Sequence, residues 1–180
     1  MQEQFEQNPS LENQMYDRYD RISSGQIVAQ DRVDPIIIPV VVHIIHDNEI
    51  GNISYAQIQD AIGMLNQDFS QTNPDAGSVR NTATAPFAPV ASDMEVQFAL
   101  AKIDPNGNCT NGIERRNAAI GTYDGDDDVS KTYAGGGLDA WDRNKYFNIW
   151  VVNSIDNGGD PGYILGYAQF PTWGSASTYG

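Results

Sequence analysis

The chain has 180 residues, 40% hydrophobic and 10% aromatic, with two histidines and one cysteine. That length fits one domain, and the apolar content supports a packed core in place of disorder. The net charge of −14, from 24 acidic against 10 basic residues, argues against nucleic acid as a ligand, because a phosphate backbone needs clustered Lys and Arg to displace its counterions.

No run approaches the roughly 18 consecutive apolar residues of a membrane span. The opening "MQEQFEQNPS" has neither the basic n-region nor the apolar h-region of a signal peptide. Residues 1–34 are polar and read as an extension ahead of a domain over 35–180. Within the extension, Leu11, Met15, Tyr19 and Ile22 recur at helical spacing, which predicts a short amphipathic helix without a partner of its own.

From Pro35 the character changes. "IIIPVVVHII" (36–45) is β-branched and apolar without alternation, the pattern of a strand covered on both faces. Pro39 has no N–H for a ladder, so pairing is expected to start near Val40. Next, Ser54 and Gln57 form a capping box, with Ile53 placed to staple onto Ile58. Behind the cap, Tyr55, Ile58, Ile62, Leu65 and Phe69 make one apolar stripe, so an amphipathic helix follows the buried strand as in the first half of a βαβ unit.

Residues 70–93 form a long Pro/Ala/Thr/Asn connection. "EVQFALAKI" alternates as a half-buried strand, "DPNGN" turns, and "GIERR" reads as a short return strand. "KYFNIWVVN" (145–153) is a second run apolar on both faces, again the pattern of a central strand. "YILGYAQFP" (163–171), with Gly166 inside it and Pro171 closing it, has the features of an edge strand.

His43 and His46 are the obvious metal candidates. Zinc helices place two histidines four apart around a Glu; here the spacing is three, no Glu intervenes, and the segment is a strand. Residues i and i+3 of a strand point to opposite faces, so these rings cannot converge on one ion and are read as structural. "DGDDD" (124–128) lacks the Glu at the twelfth position of an EF-hand, since Gly135 stands there; it reads as a solvated acidic loop, with a weak calcium site of another type as the alternative. Cys109, in a turn with no basic neighbour, is a poor nucleophile. It is either a free structural thiol or half of a disulfide to a cysteine outside these 180 residues. No G-x-S-x-G elbow is present. Trp141, Tyr146, Phe147 and Trp150 read as core.

Five segments in order, "IPVVVHIIHD", "ISYAQIQDAIGMLNQDFSQTNPD", "FAPVASDMEVQFALAKIDPNGNCTNGIERR", "DAWDRNKYFNIWVVN" and "LGYAQFP", together resemble the pappalysin family of metzincin zinc metallopeptidases, in its bacterial ulilysin-like branch. The resemblance runs from about Ile36 to Pro171. It implies an α/β (α+β) fold, the N-terminal subdomain of a metzincin: a twisted mixed sheet with an amphipathic helix packed on it. It also implies a secreted zymogen that hydrolyses peptide bonds with zinc.

The family's zinc helix carries H-E-x-x-H-x-x-G-x-x-H, and this sequence has no such motif, so no zinc is expected on this chain. The expected chain is therefore the N-terminal part of a metalloendopeptidase, inactive by itself, with the sheet face that the zinc helix would cover left open. Residues 1–34 become a pro-segment remnant, whose switch residue lies upstream of Met1 or among its aspartates. By the same resemblance, Leu165, Gly166, Tyr167, Ala168 and Gln169 form the rim that binds a protein or peptide substrate by strand addition. The competing reading is a non-catalytic secreted α/β peptide-binding or adhesion module.

Overall fold

The computed structural model describes residues 13, 16–17, 20–21, 23–26, 35–79, 81–82, 85–118, 129–156, 162 and 164–168. The chain divides into two compact units, Met1–Val33 with Gln169–Thr178 and Asp34–Ala168 with Tyr179–Gly180. In the first, the described residues Asn13, Tyr16, Asp17, Asp20, Arg21 and Ser23 are helical and exposed. Leu11, Met15, Tyr19 and Ile22, which carried the amphipathic prediction, lie outside the described residues, as do 124–128 of the acidic loop.

The second unit is organised by β1, Ile36–His46. Its neighbours are β4 (Val96–Leu100), β5 (Ile113–Asn117) and β6 (Phe147–Val151), and all three ladders are parallel. β4 pairs with Ile36 to Val40 and β5 with Val42 to His46, so the two share one edge of β1 in succession. β6 takes the other edge, opposite Val40 to Ile44. Antiparallel pairing among the described residues is confined to the two-residue strands β2 (Asn81–Thr82) and β3 (Ala85–Pro86) and to isolated bridges.

Pairing starts at Ile36, four residues before the expected point, and the geometry shows why Pro39 permits it. The Ile36 N–H donates to Glu95 O and the Val42 N–H to Gly112 O, so even-numbered amides face the β4/β5 edge. The nitrogen of Pro39 faces the β6 edge, where the ladder begins only at Val40. The missing donor costs no bond.

"GIERR" does not return along β4. The chain leaves the sheet after Leu100, closes a loop through the Ile103–Cys109 bridge, and rejoins the same edge as β5 in the same direction. Gly112 makes the rejoining possible: its φ is +74°, and an added Cβ would lie 2.7 Å from Ala101 N and 3.1 Å from Val40 O. Glycine alone meets both demands without displacement.

Helix α1 (Tyr55–Phe69) follows the capping box at Ser54: the Gln57 N–H donates to Ser54 Oγ and the Ser54 N–H to Gln57 Oε1. Ile58 is buried, with Ile53, Ile62, Leu65 and Phe69 packed against the same cluster of Val40, Val42, Ile44 and Phe98. Tyr55 is exposed, so the stripe is one residue shorter than its periodicity suggests. Asn66 fastens the helix to the sheet, giving Nδ2–H to Phe98 O (2.9 Å) and accepting the Phe98 N–H (2.7 Å) on Oδ1. Its amide thus pairs with the outward N–H and C=O of Phe98 in the middle of β4 as a strand would.

Candidate functional site

β1 is apolar on both faces because both are covered. Val40, Val42 and Ile44 face α1; Val41, His43 and Ile45 face the other way, and all six are buried. The second face is covered at its centre. Trp141 and Tyr146 pack against Val41 and Ala101 there. Ser130 and Lys131, on the loop leading to Trp141, are buried as well. Arg116 of β5 holds that loop, donating to Tyr133 O and Gly137 O at 2.6 Å each, with its guanidinium 4.0 Å from the Tyr133 ring centre. Exposed apolar residues of the sheet are Ile36 and Ile37 at the start of β1 and Phe147 at the start of β6.

Under this cover His43 is 0% exposed and has partners on both neighbouring strands. Nδ1 lies 2.8 Å from Glu114 Oε2 on β5, and Nε2 lies 2.9 Å from Asn148 Oδ1 on β6. Main-chain groups orient the Asn148 amide: Oδ1 accepts the Trp141 N–H at 2.8 Å and Nδ2–H donates to Trp141 O at 3.0 Å. Oδ1 is therefore the acceptor, and Nε2 of His43 carries a hydrogen. The remaining nitrogen, Nδ1, faces the Glu114 carboxyl. The ring also stacks on Trp150 at 4.9 Å and 23°, with Trp141 edge-on at 6.4 Å. His46 sits on the opposite face, buried, its Nδ1 without a hydrogen-bond partner.

Neither histidine fits a metal. Both nitrogens of His43 are engaged within the sheet, and the second histidine is on the other side of it. Among the described residues no group of three His, Cys, Asp or Glu side chains could hold an ion. Zinc has no site in the described part of this chain. Cys109 is an exposed free thiol on the loop between β4 and β5.

The expected rim is exposed. Leu165, Gly166, Tyr167 and Ala168 are solvent-facing and outside any ladder, while Gln169 lies outside the described residues. Among the described residues, backbone pairing near them is the antiparallel bridge Ile155–Ile164. Leu165 is 98% exposed, and an added Cβ on Gly166 would meet nothing within 4 Å. Tyr167 is held differently: the ammonium of Lys131 lies 5.2 Å from its ring centre and 5.5 Å from that of Trp150. The sequence reading missed Asn66, Glu114, Lys131 and Asn148. The available signal was a polar residue inside a run apolar on both faces, as Asn148 is in "FNIWV", since such a group must find a partner.

No family model and no curated protein matches the chain. Solved structures do. Mirolysin in complex with compound 9 is 41% identical with a TM-score of 0.66, over 78% of this chain and 48% of that one. Mature mirolysin of Tannerella forsythia in complex with a cleaved peptide is 43% identical at the same TM-score of 0.66 and the same shares, 78% and 48%. A promirolysin mutant from that organism is 39% identical with a TM-score of 0.69, over 94% of this chain and 52% of that one. These neighbours are metzincins of the pappalysin family, and the chain is similar to part of them over most of its own length. Its parallel sheet with α1 packed on it matches the N-terminal subdomain of these metallopeptidases. It spans about half the length of the structures it matches, 48% to 52%. No helix among the described residues is long and apolar enough to cross a membrane.

Proposed function

We propose that this chain is the substrate-holding N-terminal subdomain of a secreted, zinc-dependent pappalysin-like metalloendopeptidase. In this reading, Leu165, Gly166, Tyr167, Ala168 and Gln169 form the rim along which an extended peptide adds as a strand. The zinc ligands and the general base come from sequence outside these 180 residues, and the chain alone does not hydrolyse peptides. The observation that carries the proposal is the 43% identity to a mature mirolysin that holds a cleaved peptide, together with a free, exposed backbone at 165–168.

Residues 1–34 are the remnant of a pro-segment. Supporting this, the pro-form match covers 94% of the chain and the mature forms 78%; the difference is 16% of 180 residues, or about 29.

The test is to read the coding sequence beyond codon 180. An in-frame H-E-x-x-H-x-x-G-x-x-H within a few tens of codons supports the protease, and a stop codon in its place removes it.

A further inference from the structure

Resting on the peptide-rim reading above, we propose that Lys131 is the positioning residue of that rim: its ammonium, clamped between the rings of Trp150 and Tyr167, fixes the backbone that receives the peptide. The rim needs such a device. Among the described residues its main-chain pairing is one bridge at Ile164, and nothing apolar encloses Leu165 or Gly166. A strand that is to template a peptide must itself be ordered, because ordering it on binding weakens the complex.

The groups beneath the cation are held by hydrogen bonds and ring contacts. Trp150 lies in β6, its Nε1–H donates to Leu138 O at 2.9 Å, and its ring stacks on His43, which Glu114 and Asn148 pin from both sides. The backbone carrying Lys131 is fixed too. Leu138 N–H donates to Ser130 O, and Gly137 approaches so closely that a Cβ there would lie 1.9 Å from that oxygen. Lys131 is 8% exposed, and a desolvated ammonium is held more strongly by ring faces than one in water. The column His43, Trp150, Lys131, Tyr167 thus runs from the sheet interior to the exposed rim. A neutral side chain at position 131 keeps the pedestal and releases Tyr167.

The test uses the 180-residue chain, its Lys131→Met and Lys131→Arg variants, and Tyr167→Leu. Backbone ¹⁵N relaxation reads the order of residues 165–168, and an end-blocked, fluorescein-labelled decapeptide of mixed sequence reads binding. In the parent chain the rim should be as ordered as β6, with the Lys131 ε-protons shifted upfield by the two rings. Lys131→Met should drop the rim order parameters below about 0.6 and weaken the peptide about tenfold, while Lys131→Arg preserves both. Tyr167→Leu leaves the pedestal untouched and should reproduce the loss of order, which covers the case of a poorly folded Lys131→Met. Unchanged rim order in Lys131→Met, or lost order with unchanged affinity, overturns the proposal. A parent chain that does not bind the peptide counts against the rim reading itself, and the relaxation data still decide whether Lys131 orders the segment.

Discussion

The imidazole of His43 and the carboxylate of Glu114, 71 residues apart in sequence, meet at 2.8 Å across the β1–β5 ladder. With Nε2 committed to Asn148, Glu114 is the partner of the ring's other nitrogen. Replacing Glu114 by Gln keeps a partner for Nδ1 and turns a charge-assisted bond into a neutral one, a loss of about 1 kcal/mol. Glu114→Leu leaves a buried ring nitrogen with no partner and should cost about 2–3 kcal/mol. Urea unfolding of the two variants tests the ranking; equal losses would mean that the contact is mere packing.

Gly112 joins β4 to β5 at a point where both conformation and space exclude a side chain. Gly112→Ala forces a Cβ against main-chain atoms of Ala101 and Val40 and should destabilise the domain by about 3 kcal/mol. Gly166→Ala, placed where nothing lies within 4 Å, serves as the control and should change stability by less than about 0.5 kcal/mol. Thermal unfolding of the pair settles whether the β4/β5 junction is as tight as described.

Asp104 organises the loop between those strands. Its Oδ1 accepts the N–H groups of Asn108 (2.8 Å) and Asn106 (2.9 Å). The Asn108 N–H above all holds its carboxyl below the ordinary 3.8, with partial desolvation opposing. Because the folded value is the lower one, the stabilisation is present above 3.8 and is lost as pH falls through the folded value. Asp104→Asn should therefore be less stable than the parent near neutrality and converge with it on acidification. A gap that persists to about pH 2 would show that the carboxylate charge plays no part.

Dialysed protein should contain no stoichiometric zinc by elemental analysis, because the two histidines face opposite sides of one strand. One tightly bound equivalent, abolished by His43→Gln, would mean that the sheet opens to free the His43 ring.

Much of the scaffold is legible in one dimension. The β-branched run of β1, the Ser54–Gln57 capping box and the stripe from Ile58 to Phe69 follow from local periodicity and short-range hydrogen bonds. The direction of "GIERR" was not legible, because a turn such as "DPNGN" predicts reversal. Nothing local announces that the loop closes on itself and the strand resumes beside β1. Nor was the expected strand at 163–171 reproduced as a ladder: Leu165, Gly166, Tyr167 and Ala168 meet no partner strand among the described residues, and hydrogen bonding across strands is what makes a strand.

By itself the sequence determined a buried strand followed by an amphipathic helix, a segment order resembling pappalysins, and the absence of the extended zinc motif. Those features depend on residue type and spacing along the chain. Only the tertiary structure decided that His43 is held between Glu114 and Asn148, that Arg116 pins the covering loop, and that Lys131 bridges Trp150 and Tyr167. Each of those contacts joins residues at least 17 positions apart along the chain, and neighbours in sequence carry no record of such pairings.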